Sequence, residues 1–539
     1  MNTSMWQQNY TPIGNSLPLS TLVAALPIFV LLYLIGVRRL PAWKSALAGL
    51  ATALLMAFFG YGMPANLVAS SAVYGAAFGL WPIGWVVFSA VLLYRVTLES
   101  GQFEVLKDSI AHLADDRRLQ ILLIAFAFGA FVEGAAGFGT PVAVAGAMLA
   151  GLGFSPFYAA AVCLLANTAP VAFGSIAIPI ITLAGTTGLP LDRLSAGVGR
   201  MCTPLTVVIP AYLILVMNGW KGLRAILPAA ATCGIVFAGV MFFVSNFVGP
   251  QLTDILASLA AIGALVILFQ FWKPKDVARG VRGGLPHTGG KILQAWGPYI
   301  LLVICVLVWG YAPVSRWLGS KNLVFAWPGL HNVVQRVQPV VAQPTPYAAT
   351  FNFSWLSAAG TSVLLAAILG SFVAGMSPAR FMKTVGHTAK QLALAELTLA
   401  CVLALAYVMN YSGATATLGL AFVATGVTFP FFSAWLGWLG VFLTGSDTSA
   451  NALFGSLQVV TATKLGMNQV LMASVNSAGG VTGKMLSLTS VAVASAATSM
   501  KREDEALLFR FMLKHSLILT SAMGALALFY AYVAPSWAP

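Results

Sequence analysis

Acidic and basic side chains inside apolar sequence are the residues of this chain most able to do chemistry. Asp447 and Lys484 lie in an apolar stretch, 440–487, that also holds many glycine, serine, threonine and asparagine residues. Glu133 stands alone in a second apolar run, 129–180. A charge at the centre of a bilayer costs about 2.5 to 3.5 kcal/mol on insertion scales, so a charge retained there indicates a functional site.

Each of these charges has a functional interpretation and a plainer one. Asp447 and Glu133 are the candidates for reversible protonation, because a carboxyl can lie at membrane depth in its neutral form; the alternative is a structural carboxyl held by hydrogen bonds. Lys484 is predicted to pair with Asp447 or with an anionic substrate, unless its amine reaches the membrane interface. Lys464 is expected to reach the interface in that way. Glu396, near the basic end of its span, is interpreted as a surface or packing residue.

Glycines and small polar residues around these charges are predicted to bind the substrate. Broken backbone is tolerated at membrane depth only where it is buried in protein or lines a wet cavity, and half-helix N-termini offer unpaired N–H groups to an anion. Hairpin tips are expected at 137–141 and 445–449, and helix breaks at 167–168 and 476–477. The predicted substrate-binding residues are Gly137, Gly139, Thr140, Asn167, Thr168, Ser446, Thr448, Ser449, Asn451, Asn476, Ser477 and Lys484. Each serine or threonine could instead bond its own helix or pack against a neighbour.

Metal, cofactor and enzyme chemistry find little support in the sequence. The five cysteines occur singly, without a metal-binding spacing, and the histidines lie in loops or near span ends, so no metal site and no cofactor is predicted. Residues 478–485 resemble a phosphate-binding loop but lack its first glycine and its final hydroxyl residue. An intramembrane hydrolase is an alternative from another class, although only Glu133 could supply the second acid that Asp447 would need.

The composition places these residues in a membrane protein. The 539 residues are 59% hydrophobic and 8% charged, against about a quarter charged in soluble domains. Apolar runs of about 17 to 25 residues each span a bilayer, and an all-α polytopic fold with about 12–14 transmembrane segments is expected. The net charge of +14 comes largely from short loops, where lysine and arginine set orientation. The lipid bilayer is therefore the expected partner, and nucleic acid is not.

Loop charges predict the side that each segment faces. Basic loops at 38–44, 95–118, 273–282 and 380–390 are assigned to the cytoplasm, and the third of them includes Arg279 and Arg282. The N-terminus and the segment 313–355 are expected outside. Four parts follow from this order: N-terminal scaffold spans at 1–78, a first transport repeat at 79–218, connecting spans at 219–388 and a second transport repeat at 389–539.

The two polar stretches are predicted to be repeats of one unit. Asn476 lies 309 residues after Asn167, Gly483 lies 309 residues after Gly174, and the strings NTAP and NSAG agree. Because the flanking loops differ in basic charge, the two units are expected to be inverted across the bilayer. Each is predicted to contain a broken helix and a re-entrant hairpin, and the arms of the hairpin in 129–180, about 12 residues each, are too short to cross. Inverted repeats with broken helices at the midplane are typical of secondary transporters.

Longer strings make the sequence similar to one known family. They are MWQQNY at Met5, VYGAAFGLWPIGW at Val73, EGAAGFGTPVA at Glu133, NTAPVAFG at Asn167, GWLGVFLTGSDTSANALF at Gly437 and GGVTGKM at Gly479. In this order they resemble the bacterial lactate permease family along nearly the whole chain. The resemblance implies a multi-pass inner-membrane carrier that takes up lactate, and often glycolate, together with a proton. Separately from the resemblance, both termini are expected in the periplasm. Thr140, where the family usually has alanine, and Leu488-Thr489, where it has Pro-Gln, leave the preferred 2-hydroxy acid and its stereochemistry open.

The residues and the resemblance together predict proton symport of a small 2-hydroxymonocarboxylate, bound between the repeats, with Asp447 or Glu133 carrying the proton. A carrier loaded with an anion and a proton avoids moving an uncompensated charge through a low-dielectric core. A sodium-coupled carboxylate carrier is the main alternative, because polar helix breaks also bind cations. The oligomeric state stays open.

Overall fold

The computed structural model of the protein describes residues 5–137, 139–278 and 285–539. Arg279 and Arg282 of the basic loop lie outside the described residues. The N-terminal helices are α1 (Leu17–Gly36), α2 (Ala42–Leu55, continued by a wider turn at Met56–Gly60), α3 (Ala65–Phe78), α4 (Trp85–Glu99) and α5 (Gln102–Ala111). The next elements are α6 (Arg117–Gln120), a wider helical stretch (Ile121–Phe128), α7 (Gly129–Ala135), α8 (Thr140–Gly151), α9 (Pro156–Ala166), a short turn (Val171–Phe173) and α10 (Gly174–Thr187).

The remaining helices complete the chain. The middle part contains α11 (Leu191–Phe247), α12 (Thr253–Phe271), α13 (Gly289–Gly310), α14 (Ala312–Gly319), α15 (Ala359–Val373) and α16 (Pro378–Ser412). The last part contains α17 (Ala414–Phe422), α18 (Phe429–Thr444), α19 (Asp447–Lys464), α20 (Gln469–Lys484), α21 (Leu488–Ala497) and α22 (Arg502–Leu528). Five short strands are β1 (Trp6–Gln7), β2 (Leu323–Ala326), β3 (Val334–Arg336), β4 (Thr345–Pro346) and β5 (Thr350–Phe353).

Apolar helices long enough to cross a bilayer confirm the all-α polytopic fold. The described residues contain 10 such helices, or up to 11 when the pair on either side of the 167–170 break is one span. The 57-residue α11 turns back near Gly219, where φ is 63°, and its two halves pack together with Gly234 against Val207. Counting those halves separately gives 12 segments, which lies in the predicted range and already includes one arm of each hairpin described next.

The first re-entrant hairpin comprises residues 117–151. Its first arm is continuous from Arg117 to Ala135, a length of 19 residues, and its second arm is α8. The base closes where the Arg117 guanidinium donates to the Gly153 carbonyl (Nη2–O 2.5 Å). The predicted 12-residue length is wrong for the first arm, because the apolar run before Gly129 continues the helix and other parts of the protein enclose it completely.

The second hairpin consists of α18 and α19. These arms have 16 and 18 residues. They join at Gly445, whose φ of 74° lies in the left-handed region that glycine adopts without steric cost. Farther along the arms, the Ser433 hydroxyl donates to Gln458 (Oγ–Oε1 2.8 Å), which holds the two helices side by side.

The two hairpins start from opposite sides of the molecule. The base of the first lies on the basic loop, where Asp116 accepts a hydrogen bond from the Ala278 N–H (3.0 Å). The base of the second, at Lys464, shares a surface groove with Tyr10 and Val337. There, β1 pairs with β3 of the segment 313–355, so the N-terminus and that segment share one side. This arrangement inverts one hairpin relative to the other.

A matching hydrogen bond ties each hairpin tip to the broken helix of its own repeat. Ser175 donates to the Ala136 carbonyl (Oγ–O 2.8 Å), and Lys484 donates to the Gly445 carbonyl (Nζ–O 2.7 Å). In each pair the two residues are 39 positions apart. Both members of the second pair lie 309 residues after those of the first, which is the offset predicted from the sequence.

The helix break predicted at Asn476-Ser477 is wrong. Both residues lie inside α20, and the backbone leaves the helix only at 485–487. The break predicted at Asn167-Thr168 is present, since α9 ends at Ala166.

One aligned position explains why only the first repeat breaks there. Pro170 lacks an N–H and would clash with the preceding turn of a continuing helix. The second repeat has Gly479 at the corresponding position, and α20 continues through it. A side chain at Gly479 would overlap the backbone of Ala434, so this glycine also lets α20 lie directly against α18.

Helix α16 links the second repeat to the remaining spans. It packs against α2, α3 and α4 and also contacts α19. Helices α3 and α4 meet at a bend, Gly79–Gly84, in which Trp81 has extended backbone angles. The two repeats contact each other through α10 and α19, where the Ser456 hydroxyl donates to the Thr186 carbonyl (2.6 Å).

Candidate substrate site

A cavity of about 190 Å³ lies between the two hairpin tips and the two helix breaks, and is here termed the central cavity. The first repeat supplies the hairpin tip and the start of α10. The second supplies the hairpin turn, the end of α20 and the start of α21. Its polar side chains are those of Glu133, Ser175, Ser446, Asp447, Thr448, Lys484, Thr489 and Ser490.

Glycines shape the tip of the first hairpin. Gly137 and Gly139 have φ values of 60° and 80°, in the left-handed region. A side chain at Gly137 would overlap the hydroxyl of Ser175, so the tip and the start of α10 approach closely. Gly139 lines the central cavity, whereas Thr140 begins α8 outside the cavity wall.

Beside this tip, three consecutive residues that are not glycine adopt left-handed backbone angles and form a turn. Ser175, Ile176 and Ala177 have φ values of 46°, 59° and 61°. Such a backbone costs roughly 1–2 kcal/mol per residue, and it is least common for β-branched residues such as isoleucine. All three residues are buried, and the Ser175 bond to Ala136 holds the turn in place. Strain of this kind is concentrated at functional sites, and this turn forms part of the cavity wall.

The second hairpin brings a helix N-terminus to the cavity. Ser446 caps α19, and its hydroxyl accepts a hydrogen bond from the Ser449 N–H (3.2 Å). Asp447 and Thr448 follow in the first turn of this 18-residue helix. The unpaired N–H groups and the positive end of the helix dipole favour an anion at this position.

Asp447 is buried and is held through one carboxylate oxygen. Oδ2 accepts from the Ser477 hydroxyl (2.6 Å) and from the Asn451 amide (3.4 Å). Asn451 also donates to the Pro179 carbonyl in α10 (3.1 Å) and accepts from the Asn476 amide (2.9 Å). In the described part of the chain, Asp447 Oδ1 has no hydrogen-bond partner. One oxygen therefore belongs to a network that joins the two repeats, and the other is available to a proton.

Glu133 is positioned by the broken helix of the first repeat. Asn167, which ends α9, donates its side-chain amide to Glu133 (Nδ2–Oε2 3.0 Å). A side chain at Gly174 would overlap the Glu133 carboxyl, so the backbone lies directly against it. The break thus supplies both the hydrogen bond and the room that this acid needs.

Lys484 is the basic side chain of the central cavity among the described residues. Its ammonium donates to the Gly445 carbonyl (2.7 Å), while neither Asp447 nor Glu133 lies within the 4.0 Å of an ion pair. The predicted direct pairing with Asp447 is therefore not formed in this structure. An ammonium has three donors, so Lys484 retains donors that can face a bound anion.

The predicted binding residues occupy three kinds of position. Those that line the central cavity are Gly139, Ser446, Thr448 and Lys484, together with the two carboxyls. Those that support the tip or the carboxyls from behind are Gly137, Asn167, Asn451, Asn476 and Ser477. Thr140 and Thr168 do neither, and Ser449 lines a neighbouring cavity.

The sequence of the chain matches that of a known protein family along most of its length. The family profile described as L-lactate permease matches residues 20–534. The chain belongs to the L-lactate permease family. It is 44% identical over 553 residues to the glycolate permease GlcA of Escherichia coli (strain K12), covering 98% of each chain. It is 43% identical over 546 residues to the L-lactate permease of the same strain, covering 98% of this chain and 99% of the relative. With the L-lactate permease of Bacillus subtilis (strain 168) it shares 44% identity over 545 residues, covering 95% and 96%.

Sequence reasoning missed three hydroxyl residues of this L-lactate permease family member that line its central cavity: Ser175, described above, and two residues that follow α20. Thr489 and Ser490 lie in the first turn of α21, which Ser487 caps by accepting from the Ser490 N–H (3.2 Å). Serine at a helix start is a common capping signal. That signal could have extended the polar stretch by a few residues.

Two further acids of this L-lactate permease family member are buried without hydrogen-bond partners among the described residues. Asp254, in the first turn of α12, lies beside Gly134 and was not predicted. Glu396 was interpreted as a surface or packing residue, but both of its carboxyl oxygens are buried, so a surface role is wrong. For each of these two residues, the sequence feature that could have predicted a buried acid was a single carboxyl residue within an apolar span.

Proposed function

We propose that the protein is an inner-membrane carrier that takes up lactate, and also glycolate or other small 2-hydroxymonocarboxylates, by proton symport. The observation that carries this proposal is the central cavity, which holds one lysine and two carboxyls between inverted repeats. The substrates in the names of the related permeases support the chemical class.

The groups of a 2-hydroxymonocarboxylate match the cavity lining. The carboxylate fits between the Lys484 ammonium and the N-terminus of α19. The 2-hydroxyl fits the hydroxyls of Thr448 and Thr489, which line the same cavity. A volume of about 190 Å³ suits a small substrate.

The charges of the cavity give a reason for a proton to accompany the substrate. With both acids ionised, Asp447 and Glu133 outweigh Lys484 by one negative charge, and a bound carboxylate adds another. Burying uncompensated charge is costly. Protonation of one acid reduces that cost, and Asp447 is the first choice because its Oδ1 is unpaired in the described part of the chain.

The inverted hairpins give this carrier a route to alternating access. One hairpin starts from each side, so each can separate the cavity from its own side of the membrane. We assign 1–78 to scaffold spans, 79–218 and 389–539 to the transport repeats, and 219–388 to connecting spans. The basic loops face the cytoplasm and both termini face the periplasm.

Uptake by purified protein in liposomes tests the proposal. We expect labelled L-lactate to accumulate when an inward-directed pH gradient is imposed in sodium-free buffer. Uptake that does not depend on the imposed pH gradient would contradict proton coupling. A requirement for sodium at constant pH would indicate the sodium-coupled alternative. Equilibration without accumulation would indicate a passive channel.

A further inference from the structure

A second cavity adjoins the central cavity and is here termed the side cavity. It has a volume of about 210 Å³ and shares Ile178, Ser446 and Thr448 with the central cavity. Its other walls come from α1, α2, α4, α16 and the second hairpin. The tip of the second hairpin therefore stands between two adjacent spaces.

A larger space continues from the side cavity toward the basic side of the molecule. This vestibule, of about 800 Å³, shares Ile35, Ala42 and Thr444 with the side cavity. Its lining also includes Arg39 from the first basic loop and Arg510. The vestibule also borders the central cavity at Thr489, so the side cavity adjoins both the substrate site and a space that leads to the side assigned to the cytoplasm.

Glu396 is the carboxyl on the wall of the side cavity. Both of its oxygens are buried, and neither has a hydrogen-bond partner among the described residues. A side chain at Gly84 would overlap the Glu396 carboxyl, so this acid sits against the bend between α3 and α4. The remaining lining of the cavity consists of apolar side chains and hydroxyls, including those of Ser446 and Thr448.

The charged groups on neighbouring elements leave Glu396 without a compensating cation. The other titratable side chains on α16 and on the helices packed against it are Lys44, Tyr74, Tyr94, Arg95, Glu99, Arg380, Lys383, His387, Lys390, Cys401, Tyr407, Tyr411, Asp447 and Lys464. None of them bonds to Glu396, and the Arg95 guanidinium instead donates to Gln391 (2.6 Å). An ionised carboxyl in such surroundings is costly, whereas a protonated one is not.

We propose that Glu396 is a proton-transfer residue between the central cavity and the vestibule. The inference rests on the proposed proton symport. When the substrate leaves, the carboxyl of Asp447 gives up its proton and becomes a carboxylate beside Lys484. The protonated carboxyl of Glu396 first releases its own proton to water in the vestibule. The carboxylate left behind then takes up the Asp447 proton across the hydroxyls of Ser446 and Thr448, which returns Glu396 to its neutral form.

The variant Glu396→Gln tests the proposal, because glutamine keeps the size of the side chain and cannot exchange a proton. We expect reconstituted Glu396→Gln to lose pH-gradient-driven accumulation of labelled L-lactate. Exchange of labelled external for unlabelled internal L-lactate needs no net proton transfer, so we expect it to persist. Glu396→Asp is expected to restore part of the accumulation.

A matched control lies in the same cavity. The Thr398 hydroxyl bonds to its own helix at the Leu394 carbonyl (2.7 Å), so Thr398→Val is expected to leave both transport modes unchanged. Normal accumulation by Glu396→Gln would overturn the inference. Equal loss of accumulation and exchange would also overturn it, since that result indicates general damage. If the unmodified protein itself shows no gradient-driven accumulation, the proposed symport fails, and the role of Glu396 fails with it.

Discussion

Asp447 and Glu133 are both buried acids of the central cavity, but different partners hold them. Asp447 is bonded by Ser477 and Asn451, which belong to a network that reaches the other repeat. Glu133 is bonded by Asn167 within its own repeat. A change in the protonation of Asp447 therefore acts on the contact between the repeats.

The variant Asp447→Asn separates the two candidates for the proton carrier. Asparagine keeps an oxygen for the Ser477 hydroxyl but cannot exchange a proton. We expect pH-gradient-driven accumulation of L-lactate in liposomes to fall to the level of protein-free liposomes. Near-normal accumulation would transfer the role to Glu133, which Glu133→Gln would then test in the same assay.

Lys484 is expected to contribute directly to substrate affinity. A hydrogen bond to a charged group contributes about 1.5 to 3 kcal/mol, so Lys484→Met should raise the half-saturating L-lactate concentration by roughly 10- to 150-fold. Lys464→Met is the matched control, because Lys464 is exposed at the base of the second hairpin. Equal effects of the two variants on concentration-dependent exchange would contradict a binding role for Lys484.

At the residue scale, the sequence indicated the charges better than the hydroxyls. Asp447, Glu133 and Lys484 were recognisable because a charge in an apolar run needs an explanation. Ser175 and Thr489 were not, because many buried serines and threonines bond only their own helix, as Thr388 does to Thr384. Only proximity in space distinguishes a cavity hydroxyl from those.

At the scale of elements, the two repeats share a plan and differ in where they unwind. The first repeat is irregular from Asn167 and left-handed through Ala177, whereas the second leaves its helix only at 485–487. The aligned strings predicted two identical breaks. They could not show that Pro170 ends one helix while Gly479 serves the close packing of the other.

The turn of the second hairpin offers a test of local geometry. Gly445 has a left-handed backbone, and a methyl group there would overlap the Thr489 hydroxyl. Gly445→Ala is expected to lower the free energy of unfolding by about 1–2 kcal/mol from the backbone alone, with a further loss from the overlap. Thermal unfolding in detergent measures the change.

Gly466 provides the comparison for this test. It has a left-handed φ of 67°, and no atom lies close to where a side chain would begin. Gly466→Ala should therefore lose only the part of the unfolding free energy that comes from the backbone. Combining Gly445→Ala with Thr489→Ala should restore the part of the unfolding free energy that Gly445→Ala loses through the overlap. Equal shifts in Tm for the two single variants would contradict the close approach of the hairpin turn to α21.

At the scale of the whole molecule, the inverted hairpins predict which surfaces face each compartment. Lys464 and Lys275 are exposed near the bases of the second and first hairpins, and the five cysteines are all buried. A membrane-impermeant maleimide is therefore expected to label Lys464→Cys in intact cells, and Lys275→Cys only after the membrane is opened. The reverse pattern would invert the orientation derived from the loop charges.

The contact between the repeats also sets a condition on how the protein is made. The Asn451 amide that supports Asp447 bonds to the Pro179 carbonyl, 272 residues earlier in the chain. At about 5–20 residues per second, the ribosome needs roughly 14 to 54 s to cover that distance. During this interval the polar break of the first repeat is already in the membrane without its partner. Neighbouring spans or an insertion factor must shield it from lipid until the second half arrives.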